Sequence, residues 1–193
     1  MLSGKLIYVI IPARGGSKRL PRKNIYPVLG RPMIQYAIRA ASGSKYVNVV
    51  FVSSEDDEIL SISKALGAYP IKRSVENSLD HVCKQDAIVE CLDTLKREFK
   101  TPDMVISLQA NSPEVTSDDL DAALETFVKF DRNELMSFSP DLIQNAAFRI
   151  MVHDTVYQKT LSTKCGCYVT DYIDVHTIDD VIQVEQRIKR NAP

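Results

Sequence analysis

Apolar runs of strand length alternate along the chain with segments whose apolar residues recur every three or four positions. Residues 6–11 form an unbroken apolar run, the pattern of a strand covered on both faces. Pro32 can open a helix, and Ile34, Ala37, Ile38 and Ala41 give that helix one buried stripe. Residues 47–52 read as a second buried strand. Ser53 and Ser54 followed by Glu55, Asp56, Asp57 and Glu58 read as a helix start. Serine caps orphan N–H groups there, and acids suit the positive end of the dipole. That helix runs through Ile59, Ile62 and Leu66 to a C-cap at Gly67.

The same reading predicts a helix over 84–99, a strand over 104–108 and a helix capped by Thr116 that runs through Leu120, Ala123, Leu124 and Phe127. Shorter strands are predicted at 135–138, 148–152, 166–170 and 172–175, and a last helix, capped by Thr177, at 178–189. Such alternation implies right-handed βαβ units and a mostly parallel sheet. The chain, 1–193, reads as one α/β domain, and 140–164, where periodicity is weakest, is the one stretch that reads as an insertion.

Composition narrows the partners. With 24 Lys+Arg against 25 Asp+Glu the net charge is −1, which argues against a nucleic-acid binder. No apolar run reaches the roughly 20 residues of a membrane span. The stretch 6–12 is short for a secretory leader and is followed at once by Arg14 and Lys18, so a cytoplasmic location with no membrane partner is expected. Cys83, Cys91, Cys165 and Cys167 contain no C-x-x-C pair, which fits reduced thiols. A zinc site joining them to His81, His153 or His176 lacks the usual spacing.

The most informative segment follows the first strand: Ile11-Pro12-Ala13-Arg14-Gly15-Gly16-Ser17-Lys18-Arg19-Leu20-Pro21-Arg22-Lys23-Asn24. In α/β sheets the ligand crevice lies at the C-terminal ends of the strands. Two glycines let backbone N–H groups approach an anion, and Arg14, Lys18, Arg19, Arg22 and Lys23 add five cations without an acid. A polyphosphate suits such a loop, because several negative charges must be met together. The segment is neither a P-loop nor the G-x-G-x-x-G dinucleotide fingerprint.

This string resembles the signature of the sugar-acid cytidylyltransferases. Leu29-Gly30-Arg31-Pro32-Met33-Ile34 is similar to that family's L-x-G-K-P-L-I, and Val52-Ser53-Ser54-Glu55-Asp56 to its V-S-T-D-D. Leu108-Gln109-Ala110-Asn111-Ser112-Pro113 is similar to L-Q-P-T-S-P, and Ile173-Asp174-Val175-His176-Thr177 to I-D-I-D-T. The resemblance implies a three-layer Rossmann-like nucleotidyltransferase fold with a mostly parallel central sheet and a short insertion. It implies transfer of CMP from CTP to an acidic nonulosonate or ulosonate sugar, with release of pyrophosphate, by a homodimer.

By the same resemblance Arg14 and Lys23 are catalytic, neutralising the phosphates. Ala13, Gly15, Gly16, Ser17, Lys18, Asn24, Arg73, Asp80 and Lys84 are nucleotide-binding; Arg73 is placed at the cytosine edge, and Lys84 stands where the family often has a serine or threonine at the base. Gln109 and Arg149 are substrate-binding. Asp174 and His176 take the two metal positions for Mg2+, or Mn2+ in its place, although His176 replaces an aspartate and reads equally as a bystander. Residues 135–165 correspond to a reduced insertion and dimerisation region. The altered metal pair and that short region leave two alternatives: a non-catalytic nucleotide-binding protein, or a nucleotidyltransferase with another base or sugar.

Overall fold

The computed structural model describes residues 2, 4–79 and 81–191. Seven strands form one sheet: β1 (Ile7–Pro12), β4 (Val49–Ser54), β5 (Tyr69–Lys72), β6 (Met104–Leu108), β7 (Glu134–Phe138), β8 (Gln144–Val152) and β9 (Cys165–Val169). Their order is β5-β4-β1-β6-β8-β7-β9, and β8 alone runs antiparallel to its neighbours. Among the described residues five α-helices accompany them: α1 (Ile34–Gly43), α2 (Asp57–Ala65), α3 (Lys84–Leu95), α4 (Ser117–Lys129) and α5 (Ile178–Asn191). The expected three-layer α/β architecture is the observed one.

Pleating explains the layers. Along β1, Ile7, Val9 and Ile11 point to one face, where Ile38 of α1, Ile59 of α2 and Leu124 and Phe127 of α4 pack on them. Tyr8 and Ile10 point to the other, against Ile88, Leu92 and Leu95 of α3. Each fully buried aliphatic or aromatic side chain contributes roughly 1.5–3 kcal/mol by leaving water. A third, smaller cluster joins Leu20, Val28 and Met33 to Val181 and Val184 of α5, and so fixes the last helix beside the loop that follows β1.

Several boundaries differ from expectation for local reasons. The N-cap of α2 is Asp56, whose carboxylate accepts from the N–H groups of Glu58 and Ile59, while Ser53 and Ser54 complete β4. Pro32 belongs not to a helix but to a two-residue strand, β3 (Arg31–Pro32), paired with β2 (Pro27–Val28). Leu29 and Gly30 join them, both at positive φ, as a twisted two-residue hairpin requires. Residues 172–175, predicted as a strand, pair with none: Ile173 N–H donates to Glu114 and Val175 N–H to the Asn111 carbonyl. Residues 135–165 supply most of β7 and all of β8, which lies inside the sheet between β6 and β7.

Candidate active site

The C-terminal ends of β1, β5 and β6 open on one cleft of about 250 Å3, at the point where the strand order reverses on either side of β1. Arg14, Arg19, Lys23 and Asn24 reach it from the loop after β1. Arg73 comes from the end of β5, Lys84 from the first turn of α3, Gln109 from the end of β6, and Asp174 and His176 from the segment before α5. A wider, more open depression of about 590 Å3 lies along α3 around Glu90, Asp93 and Arg97; it shares Asn77 with the cleft but contains none of the loop cations.

The loop is held by β4, by the residues just after it and by one hydrogen bond of its own. Ala13 is buried and its N–H donates to the Ser53 carbonyl (2.9 Å). Gly15 N–H donates to Glu55 Oε1 (2.7 Å). A Cβ at Gly15 would lie 2.3 Å from Asp56 Oδ2, so only glycine allows this approach; at Gly16 the same atom meets nothing within 4 Å. Arg22, one of the five loop cations, turns away from the cleft and pairs with Asp56 (2.8 Å) and Glu58. Asn24 donates to the Arg14 carbonyl (2.8 Å) and so closes the loop on itself. Ser17 is half-buried and Lys18 exposed at its outer rim.

Glu55 is the residue that sequence reasoning missed. Its second oxygen accepts from Arg73 (3.1 Å), whose side chain is only 5% exposed and also donates to Ser78 (3.0 Å). One carboxylate thus ties the loop to the residue expected at the base. Burial pushes the Glu55 carboxyl up. Hydrogen bonds from its own N–H, Gly15, Arg73 and Ser78 outweigh that and hold it below its ordinary value. Its signal in sequence was its position at the end of the strand beside β1.

On the opposite wall, Asp174 and His176 meet without a strand to align them. His176 Nε2 lies 2.9 Å from Asp174 Oδ2, and its Nδ1 faces Arg19 (3.0 Å) and Lys23 (3.4 Å). Arginine and lysine only donate, so Nδ1 accepts and the ring hydrogen sits on Nε2, directed at Asp174. Asn111, a second residue missed, donates to Asp174 Oδ1 and to the Val175 carbonyl (3.0 Å). Asp180 accepts from the N–H groups of His176 and Thr177 (both 2.8 Å), which ties this segment to the start of α5. Burial lowers the pKa of Lys23; Asp174 raises it, and Lys84, Arg19 and Arg14 lower it further, so the one carboxylate does not offset burial and the neighbouring cations.

Beyond Lys84 and Gln109 the cleft continues into a second hollow of about 260 Å3 over β6 and β8, lined also by Gln85, Gln144 and Arg149. Arg149 is committed within the protein: it pairs with Glu134 (2.5 Å), which is fully buried, and donates to Gln85 (2.9 Å). Asp80 lies outside the described residues. Among the described residues no three His, Cys, Asp or Glu side chains gather as a metal site, the four cysteines are free, and no helix is long and apolar enough to cross a membrane.

Comparison with known proteins agrees with this geometry. A family profile described as Cytidylyltransferase matches residues 8–164. The pseudaminic acid cytidylyltransferase of Campylobacter jejuni subsp. jejuni is 38% identical over 121 residues, 62% of this chain and 52% of that one. N-acylneuraminate cytidylyltransferase A of Danio rerio is 39% identical over 123 residues, 64% of this chain and 28% of that one. The chain thus spans about half the length of the first relative and less of the second. Among solved structures, a CMP:2-keto-3-deoxy-manno-octonic acid synthetase complexed with CTP superposes with a TM-score of 0.77 at 16% identity, covering 97% of this chain and 100% of that one, a likeness of fold. The motifs, the fold and the matched span together place this chain in the sugar-acid cytidylyltransferase family.

Proposed function

We propose that the protein transfers CMP from CTP to an acidic sugar and releases pyrophosphate. The observation that carries this reading is the convergence of Arg14, Arg19, Lys23 and Lys84 on one cleft at the strand ends, with Asp174 and Gln109 beside them. The acceptor's hydroxyl attacks the α-phosphorus, its proton passes to solvent, and the bond to the β-phosphate oxygen breaks. Arg14 and Lys23 neutralise the charge that builds on the departing pyrophosphate. Arg73, held by Glu55 and Ser78, meets the cytosine, and the second hollow takes the acceptor, with Gln109 at the junction.

A divalent cation fits this arrangement in one form. Mg2+ commonly takes one or two carboxylates together with substrate phosphates. Asp174 supplies one such carboxylate, held by Asn111 and His176. His176, with Nε2 on Asp174 and Nδ1 on Arg19, positions that carboxylate and has no lone pair left to offer. When bound, Mg2+ (or Mn2+) would supply charge neutralisation on the triphosphate. In the test, CTP with an acidic sugar and Mg2+ yields pyrophosphate, and chelation by EDTA stops it. Folded protein that binds CTP without turnover would instead favour a nucleotide-binding role.

A cytoplasmic homodimer completes the proposal. The two edges of the sheet differ: β5 carries Pro70 and Lys72, which discourage pairing, whereas β9 has neither proline nor charge and leaves Cys167 and Val169 exposed. Sedimentation equilibrium is expected to give twice the 21.7 kDa chain mass; a monomer at micromolar concentration would remove this part.

A further inference from the structure

Among the described residues the acceptor hollow is lined by two cations, Lys84 and Arg149, and by no carboxylate. The two cations stand differently. Arg149 already answers the buried Glu134, and turning it toward a ligand would leave that carboxylate unpaired in the interior, which is costly. Lys84 makes no ion pair or side-chain hydrogen bond among the described residues, and it lines both the nucleotide cleft and the acceptor hollow. It sits in the first turn of the twelve-residue helix α3, where the helix dipole favours an anion and works against a lysine. Burial lowers the pKa of Lys23 and Asp174 raises it, while Lys84, Arg19 and Arg14 lower it further, so Lys84 and the loop cations repel one another where the two cavities meet.

We propose that Lys84 is the residue that anchors the carboxylate of the acceptor, and that it thereby selects an acidic sugar over a neutral one. Arg149 shapes the hollow and is held in place by Glu134 and Gln85. The inference rests on the transfer reading above but assigns Lys84 to the acceptor rather than to the base. It also gives a reason for a cation at a place where the family often carries a serine or threonine.

The test uses acid and ester pairs: pseudaminate, N-acetylneuraminate and 3-deoxy-manno-octulosonate, each beside its methyl ester. In the wild-type chain kcat/KM favours the acid. In Lys84→Met that preference falls roughly 10- to 100-fold, the loss of one charge-assisted hydrogen bond. The loss lies in the KM of the acid acceptor and exceeds any rise in the KM of CTP. Lys84→Arg restores part of the preference. An acid preference that survives Lys84→Met, or that disappears in Arg149→Met instead, would overturn the proposal, as would a rise confined to the KM of CTP. If no acceptor is turned over by the wild type, the transfer reading fails separately. Calorimetric binding of each acid and ester in the presence of CTP then decides Lys84. Acid-selective binding lost in Lys84→Met supports it, and equal or absent binding overturns it.

Discussion

Lys23→Ala lowers kcat for CTP-dependent pyrophosphate release about 100- to 1,000-fold while leaving the melting temperature within a few degrees. The magnitude is that of removing one preorganised group aimed at charge that develops in the transition state. Lys23 has the right setting for it. It is half-buried, so its charge acts through a medium less polar than water, and Asp174, Arg14, Arg19 and Lys84 surround it. Its ammonium meets His176 Nδ1 at 3.4 Å, a weak contact whose loss costs the fold little. Arg14→Ala is expected to act in the same direction. The distinction lies in where the loss appears: a fall in kcat marks an interaction made in the transition state, and a rise in KM alone marks ordinary binding. A variant that kept its kcat would remove Lys23 from the chemistry.

Glu55→Ala has the largest expected effect on the fold around the site. One carboxylate accepts from Gly15 N–H at 2.7 Å and pairs with Arg73 at 3.1 Å, and the Arg73 side chain is 5% exposed. Deleting it leaves a buried guanidinium without its partner and a loop without its tie to β4. The full loss of a buried pair is about 3–5 kcal/mol. Glu55 is partly exposed to water, which brings the expectation to about 2–3 kcal/mol, or a fall in Tm of roughly 5–10 °C. CTP affinity falls with it, because both the phosphate loop and Arg73 lose their support.

The pH dependence follows in sign. The Glu55 carboxyl in the folded protein ionises below the ordinary glutamate value. Its contribution is therefore complete above the unfolded value and is lost as pH falls through the folded one. Urea midpoints measured between about pH 6 and pH 3 are expected to fall less steeply in Glu55→Gln than in the wild type. Parallel curves would mean that the charge of Glu55 contributes nothing to stability.

What the sequence made legible was local. The core strands β1, β4 and β6 are mostly apolar and buried along their length, and the box at Thr116 and Asp119 closes within four residues. β5 was missed because its four residues include Pro70 and Lys72, tolerable only on a sheet edge that no local pattern announces. The β2–β3 hairpin was missed because Leu29 N–H donates to Glu185, 156 residues away. Residues 172–175 look like a strand, but their polar backbone groups go to Asn111 and Glu114.

The site divides in the same way. Arg14, Lys23, Arg73, Gln109, Asp174 and His176 were identifiable by resemblance, and the fold brings them to one cleft. Contacts between distant segments were not identifiable: Glu55 with Gly15, Arg22 with Asp56, Arg149 with Glu134. These decide which cations face a ligand and which are already answered. Of the five loop cations Arg22 is withdrawn, and of the two in the acceptor hollow Arg149 is.

The most direct test of the account is pyrophosphate release by the purified chain with Mg2+, each of the four nucleoside triphosphates, and pseudaminate, N-acetylneuraminate or 3-deoxy-manno-octulosonate as acceptor. The account predicts release with CTP and at least one of these acids, together with the mass of the corresponding CMP-sugar. No release from any combination by folded protein, or release that ignores the acceptor's carboxylate and the identity of the base, would contradict it.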